Sequence, residues 1–82
     1  MDVKSEFPGA KRSEVVLRAE AFGFLIRVYY SKMDHEYKAS FCKEDGDAFA
    51  WRHMSRSVGG DRNPAQLLSK ATMECYHEMM RK

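Results

Sequence analysis

Hydrophobic and polar residues alternate along much of residues 14–42, which is the pattern of half-buried β-strands. The segment 14–31 is rich in Val, Ile, Leu, Phe and Tyr, which favour a pleated sheet surface. Gly23 lies near its middle and can take the positive φ of a tight turn, so the pattern predicts two strands there. A third strand is predicted over 35–42. The alternative for residues 14–22 is a helix that Ser13 caps and Gly23 ends.

The period of two also assigns the residues of each strand to opposite faces of the predicted sheet. The face expected to pack on the core carries Val15, Leu17, Ala19, Ala21, Phe24, Ile26, Val28, Tyr30, Tyr37, Ala39 and Phe41. The opposite face carries Arg18, Phe22, Leu25, Arg27, Tyr29 and Lys38. Because a one-sided antiparallel sheet shows water its polar face, we expect this second face to be solvated.

The Asp-Gly pair after the third strand is a strong hairpin signal, because both residues accept the positive φ of a two-residue turn. A fourth strand is accordingly predicted over 48–55, where Phe49, Trp51 and His53 alternate with smaller or more polar residues. The alternative for the same residues is a helix capped by Asp47. The adjoining stretch RHMSRSVGGDR contains two glycines and is predicted to be a basic loop.

The last third of the chain contains the clearest helix signals. Asn63 stands where an N-cap belongs, Pro64 occupies the first helical position, and Gln66 falls three residues after the cap. A helix is therefore predicted over about 64–81. Its core-facing stripe is predicted to consist of Leu68, Ala71, Cys75 and Met79, flanked by Leu67, Thr72 and Tyr76.

Together these elements predict an α+β fold, in which a three- to four-stranded antiparallel sheet carries one long C-terminal helix packed on one face. A chain of 82 residues suits one core, so residues 13–82 are predicted to form a single domain and residues 1–12 a flexible N-terminal arm. The composition, 44% hydrophobic and 32% charged, is ordinary for a soluble protein. No apolar run is long enough to cross a bilayer, so we expect no membrane association and a cytoplasmic location.

Motifs for catalysis, metal binding and cofactor binding are missing from the sequence. It contains no HExxH, CxxC, GxSxG or P-loop pattern. The closest clusters of titratable residues are the Asp-His-Glu run 34–36 and the pair Glu74 and His77, and both are predicted to be solvated. The sequence thus predicts a protein that is not an enzyme and holds no cofactor and no metal. Cys42 and Cys75 are expected as reduced thiols, and a single bridge between them is the alternative.

Two groups of side chains are predicted to bind a protein partner. Met73, Tyr76 and Met80 recur at helical spacing and form a second apolar row, displaced by roughly 100° or more from the core stripe. Tyr and Met are both common at protein interfaces. The same helix edge can join two copies of the chain, so a homodimer is a variant of this prediction. The second group lies in the basic loop and consists of Arg52, Arg56 and Arg62.

Nucleic-acid binding is the alternative function. It would use the face of the sheet turned away from the helix, where cations can hold phosphates and an aromatic ring can stack on a base. The net charge of +2 is nearly balanced, whereas dedicated nucleic-acid-binding domains carry a marked basic excess. Charge therefore favours a protein partner. The residues of the alternative are Arg18, Arg27, Tyr29 and Lys38.

The succession of VVLRAEAFGFLIRVYY, EYKASF and NPAQLLSKATMECYHEMM resembles the sheet-plus-terminal-helix layout of small phage-encoded proteins, among them some anti-CRISPR inhibitors. The resemblance is one of layout and size over residues 14–81. It implies a non-enzymatic inhibitor that blocks or redirects a host defence or regulatory complex through surface contacts in the host cytoplasm. It assigns no individual residue to that contact.

Overall fold

The computed structural model describes residues 14–81, in which the chain forms one sheet and two helices. The elements are β1 (Glu14–Ala21), β2 (Phe24–Ser31), β3 (Glu36–Lys43), α1 (Ala48–Met54), β4 (Arg56–Asp61) and α2 (Pro64–Met80). The strands pair antiparallel in the order β1-β2-β3-β4, and α2 packs on one face. The predicted α+β architecture is confirmed. The predicted flexible arm, residues 1–12, lies outside the described residues.

A two-residue turn joins β1 to β2, as the position of Gly23 predicts. Phe22 and Gly23 have φ angles of 53° and 85°, the positive values of a type I′ turn, whose twist matches that of the paired strands. The helix considered for residues 14–22 is therefore wrong. Positive φ is ordinary for glycine but costly for phenylalanine, because its Cβ crowds the backbone.

A β-bulge near the start of β1 changes the face of one residue. Val15 pairs with Tyr29 but Leu17 pairs with Val28, so Val16 is the extra residue. The residues after the bulge keep the predicted core side, whereas Val15 packs on the opposite face. The prediction for Val15 is wrong because the period of two holds only where strand pairing is regular.

Residues 48–54 form helix α1, so the strand predicted over 48–55 is wrong and its helical alternative is correct. The Asp47 carboxylate accepts a hydrogen bond from the Ala50 backbone N–H at 3.0 Å and caps the helix. The helix turns Trp51 onto the sheet, where the side chain is buried. The Asp-Gly pair, residues 45 and 46, is therefore followed by a helix and not by a hairpin. The reason is that the next residue, Asp47, accepts a hydrogen bond from the first turn of that helix.

The fourth strand is β4, in the segment predicted to be a basic loop, so that prediction is wrong. It pairs with β3, with Ser57 opposite Ser40 and Gly59 opposite Ala39. A bulge between these pairs accommodates Val58, which packs against the core. Glycine is a poor strand former, but pairing with the outer backbone groups of β3 outweighs this local preference.

Each face of the sheet carries a cluster of buried side chains. On the α2 side the cluster consists of Leu67, Ala71, Cys75, Ile26, Val28, Ala39 and Phe41. On the other side it consists of Trp51 and Cys42, flanked by Val15, Leu25, Tyr29 and Ala50. The two cysteines are therefore free thiols on opposite faces of the sheet, and the alternative of a bridge between them is wrong.

Helix α2 begins at the predicted cap, where Asn63 Oδ1 accepts a hydrogen bond from the Ala65 backbone N–H at 2.9 Å. Its orientation differs from the prediction. Leu67 is fully buried and Leu68 is only half-buried, so the helix is rotated toward Leu67. The sequence does not distinguish the two positions, because adjacent leucines contribute equally to either stripe.

Candidate protein-binding surface

Helix α2 covers the sheet unevenly. A helix with its side chains is about 10 Å across, whereas four strands spaced by about 4.8 Å form a wider layer. α2 packs chiefly against β2, β3 and β4 and contacts β1 least. As a result Leu17 on β1 is 38% exposed, although it stands on the same face as the core. The margin of the sheet along β1 is therefore the open side of this layer.

The three predicted partner-binding residues of α2 remain exposed in the folded protein. Met73, Tyr76 and Met80 are 55%, 40% and 61% exposed. They follow one another at steps of three and four residues, so they form a continuous row along the helix. This row lies away from the buried residues that hold α2 on the sheet, which leaves it available to a partner.

Phe22 extends this row from the helix onto the sheet. Its ring meets the ring of Tyr76 edge-on, with 5.3 Å between the centroids and an interplanar angle of 66°. Phe22 is 48% exposed, even though its backbone holds the unfavourable positive φ. Asn, Asp or Gly usually occupies this turn position, because a positive φ costs these residues less than it costs a phenylalanine. We call Phe22, Met73, Tyr76 and Met80 the apolar ridge.

The period of two along β1 places Phe22 among the basic residues on the other face, and that assignment is wrong. The strand ends at Ala21, so the alternation does not extend to the turn. The ring instead packs on Tyr76, which is on the α2 side. The signal in the sequence that identifies Phe22 is a bulky residue directly before the glycine of a tight turn.

A cavity of about 680 Å³ adjoins the apolar ridge. It lies between the β1–β2 turn, α1 and the end of α2, and its apolar walls include Phe22, Phe24, Phe41, Met54 and Met79. Its volume falls within the range of ligand-binding cavities in proteins. Because Phe22 belongs to both the wall and the ridge, an occupant of the cavity would also lie against the ridge.

Arg56 and Glu78 form a charged part of the cavity lining. Arg56 Nη2 lies 3.6 Å from Glu78 Oε2, and the other oxygen of Glu78 lies 3.8 Å from Arg81 Nη1. The arginine groups are largely exposed, and exposed ion pairs of this length contribute little to stability. These ion pairs therefore add charge to the cavity lining without contributing much to the fold.

The three arginines predicted in the basic loop are exposed and lie on three successive segments of the chain. Arg52 lies on α1, which packs on the sheet face opposite α2. Arg56 lies on β4 and reaches α2 through Glu78, and Arg62 follows the end of β4. Of the three, only Arg56 lines the cavity. It is the arginine that adjoins the predicted partner-binding residues of α2.

Helix α1 covers much of the face predicted to bind nucleic acid. Arg27 is 6% exposed and lies against Trp51, with 4.0 Å between the guanidinium carbon and the ring centroid. This distance is that of a cation–π contact. Tyr29 is half-buried, and burial raises the pKa of its phenol. Neither residue presents its side chain freely to a nucleic acid.

Lys38 is engaged at the end of the same face. Its Nζ lies 2.9 Å from Asp34 and 3.6 Å from Glu36. The hydrogen bond between lysine and aspartate lowers the pKa of Asp34 and raises the pKa of Lys38. The four residues of the alternative share one face as predicted, but among them Arg18 alone is exposed and unengaged by another described residue.

The titratable residues singled out in the sequence are two buried thiols and two groups of largely exposed side chains. Burial raises the pKa of the Cys42 thiol and raises that of Cys75 to about 11, so both are protonated at neutral pH. Asp34 and His35 are exposed in the turn between β2 and β3, and Glu74 and His77 are exposed on α2. Within residues 14–81, no three His, Cys, Asp or Glu side chains converge as metal ligands do.

The chain matches no protein-family model, no curated protein and no solved structure. Neither α1 nor α2 has the length and apolar character that a membrane-spanning helix needs. A functional assignment for this protein therefore depends on the geometry and chemistry of its own surface.

Proposed function

We propose that this protein is a non-enzymatic protein-binding module whose partner occupies the apolar ridge and the adjoining cavity. The observation that carries the proposal is the contact between Phe22 and Tyr76. Folding of the β1–β2 turn by itself favours Asn or Gly at the position of Phe22, because these residues accept a positive φ at lower cost. A half-exposed aromatic ring in that conformation therefore supports a function outside the fold.

The chemistry of the apolar ridge favours a protein partner. Tyr, Phe and Met are enriched at protein interfaces, where an aromatic ring contributes a large contact area and loses little conformational entropy. Methionine side chains are flexible and adapt to irregular surfaces. The ridge combines two rigid rings, Phe22 and Tyr76, with two adaptable thioethers, Met73 and Met80, on elements that the core holds in place.

The cavity supports a partner that inserts a large apolar side chain. Binding energy at interfaces concentrates in a few anchor residues that fill well-packed pockets. Phe24, Phe41 and Met79 supply apolar walls for such an anchor. Arg56 and Glu78 at the same cavity can pair with charges that flank the anchor, which adds specificity.

The resemblance to small phage-encoded inhibitors extends the proposal to the identity of the partner. It supports a component of a host defence or regulatory complex, which this protein would meet in the host cytoplasm. Such an inhibitor acts by occupying a surface and needs no catalytic group. An apolar ridge on a rigid helix and turn suits this role, because little conformational freedom is lost when the partner binds.

Affinity capture from a lysate of the native host tests the proposal. The bait is the full chain, and the altered bait carries Met73→Lys and Tyr76→Lys together. The matched control is Met33→Lys, since Met33 is 84% exposed in the turn between β2 and β3 and lies outside the ridge. We expect the wild-type and control baits to retain the same host protein after nuclease treatment, and the altered bait to lose it.

Circular dichroism of the same variants separates loss of binding from loss of fold. If the altered bait unfolds, Met73 and Tyr76 belong to the core and the proposal fails. If it stays folded and retains the partner, the ridge is not the binding site. Phe22→Asn is a second test, because asparagine suits the turn and should keep the fold while weakening capture.

The nuclease-treated and untreated samples also test the alternative function. Loss of every captured protein on nuclease treatment would favour nucleic-acid binding through the face that carries Arg18 and Lys38. The variants for that test are Arg18→Glu and Lys38→Glu, and binding should also weaken steeply with salt. Arg27 is unsuitable for substitution, because it is buried against Trp51 and its loss would disturb the fold.

A further inference from the structure

The edge of the sheet at β1 has backbone groups that point outward. Among the described strands, β1 pairs only with β2. In a two-residue type I′ hairpin, the residues that flank the turn exchange both hydrogen bonds, and here these are Ala21 and Phe24. The bonding alternates along the strand, so the N–H and C=O groups of Arg18 and Glu20 point away from β2.

The same two residues carry opposite charges on the same face of the sheet. Arg18 pairs with Arg27 and Glu20 pairs with Leu25, and both partners belong to the face away from α2. The side chains of Arg18 and Glu20 are exposed. Neither forms an ion pair with another described residue. Both charges are thus available to a strand that approaches this edge.

We propose that two copies of the chain associate by antiparallel pairing of their β1 edges, with Ala19 opposite Ala19 of the second copy. In this register Arg18 of each copy stands opposite Glu20 of the other, so opposite charges meet twice. The outward backbone groups of the same two residues exchange hydrogen bonds in both pairs. This inference goes beyond the proposed function, since it concerns a different surface and a second copy of the chain.

The other registers are less favourable for physical reasons. A shift by two residues places Arg18 opposite Arg18 or Glu20 opposite Glu20, and like charges directly opposite one another repel. A shift by one residue places Arg18 or Glu20 opposite Ala19 or Ala21 of the second copy. The backbone groups of those alanines already bond to β2, so no hydrogen bonds form between the copies. The bulge at Val16 limits regular pairing to the part of β1 that follows it.

The opposite edge of the sheet, β4, is less suited to pairing. It is shorter than β1, at 6 residues against 8, and contains Gly59 with a φ of 110°. Its own bulge interrupts the regular spacing of outward groups.

Pairing through β1 would join two sheets and leave α2 of both copies on the same side. The dimer would then present two apolar ridges in one direction, which increases affinity for a repeated partner.

Charge reversal tests the register directly. Sedimentation velocity of the full chain, from about 5 to about 500 µM, should show a monomer–dimer equilibrium for the wild type. Arg18→Glu and Glu20→Arg should each raise the dissociation constant by about tenfold or more, because symmetry creates two like-charge pairs. An equimolar mixture of these two variants should form a mixed dimer, since each supplies the charge the other lacks. The double variant that carries both changes should dimerise like the wild type.

The same measurement gives the results that would overturn the proposal. A wild type that stays monomeric over the whole concentration range excludes it, as does a mixture of the two variants that does not associate. Met73→Lys is the control for the other surface and should dimerise like the wild type. A dimer that Met73→Lys abolishes and Arg18→Glu preserves would be formed by the apolar ridge and not by β1. Capture of a host protein by the ridge is measured separately, so the two proposals can fail independently.

Discussion

Two adjacent leucines of α2 provide the most direct test of how this helix sits on the sheet. Leu67 is fully buried, whereas Leu68 is half-buried at the margin of the same core. Substituting each by alanine removes the same atoms from neighbouring positions with the same helix propensity. Any difference in stability between Leu67→Ala and Leu68→Ala therefore reports burial and not a change in local chemistry.

The expected cost follows from the burial of the two side chains. A buried leucine changed to alanine costs about 2–5 kcal/mol, because its transfer free energy is lost and a cavity remains. A half-buried leucine should cost roughly half as much, about 1–2.5 kcal/mol. A chain of this size has a total stability of roughly 4–12 kcal/mol, so Leu67→Ala should remove a large part of it. The melting temperature should fall by about 8–40 °C, given about 4–8 °C per kcal/mol.

Equilibrium unfolding in urea, followed by circular dichroism, measures both free energies. The midpoint should fall more for Leu67→Ala than for Leu68→Ala, with similar slopes for both variants and the wild type. Met73→Ala is the surface control and should change the free energy of unfolding by less than about 0.5 kcal/mol. Similar slopes would show that the variants unfold from the same compact state.

An equal or larger loss for Leu68→Ala would refute this orientation of α2. Successive residues are separated by about 100° around a helix, so a core centred nearer Leu68 means a helix turned in that direction. The turn would carry Tyr76 toward the sheet and separate it from the exposed ridge. The stabilities of Leu67→Ala and Leu68→Ala therefore test the orientation of α2, and this orientation decides whether the apolar ridge is exposed as the proposed function requires.

Three further outcomes are expected. Asp47→Ala should lower the free energy of unfolding by about 0.5–2 kcal/mol, because α1 loses its cap; an unchanged thermal midpoint would contradict the cap. Burial raises the pKa of Cys75 from 9.0 to about 11, so its contribution to stability is complete below pH 9 and is lost as pH rises toward 11, where the unfolded thiol ionises first. Urea unfolding of Cys75→Ala should show a smaller decline over that range, and an equal decline would contradict it. Trp51 is 3% exposed, so acrylamide should quench its fluorescence weakly until the protein unfolds; strong quenching in the native state would mean that α1 does not pack on the sheet.

The sequence predicts well those features that neighbouring residues decide. Asn63 and Pro64 define the start of α2, because a cap and a first-turn proline act on backbone groups within one helical turn. Gly23 identifies the β1–β2 turn, because the required positive φ is a local property. Met73, Tyr76 and Met80 lie on an exposed side of α2 as the helical period predicts.

Other features depend on what each segment packs against. Residues 48–54 fit either a strand or a helix, and the helix forms because it places Trp51 over Arg27 on the sheet. The segment 56–61 becomes β4 because β3 offers an edge for pairing, despite its two glycines. In both cases tertiary contacts outweigh a local preference of small magnitude.

The sequence by itself therefore predicts the α+β class, the second and third strands, the terminal helix and the exposed residues along that helix, and it leaves residues 14–22 and 48–55 open between a strand and a helix. Only the tertiary structure decides the face of Val15, the rotation of α2 and the contact that joins Phe22 to Tyr76. The physical reason is the range of the interactions. Caps, turns and alternation act between residues a few positions apart, whereas a bulge, a helix rotation and a ring contact depend on partners that only the packed sheet and helix bring together.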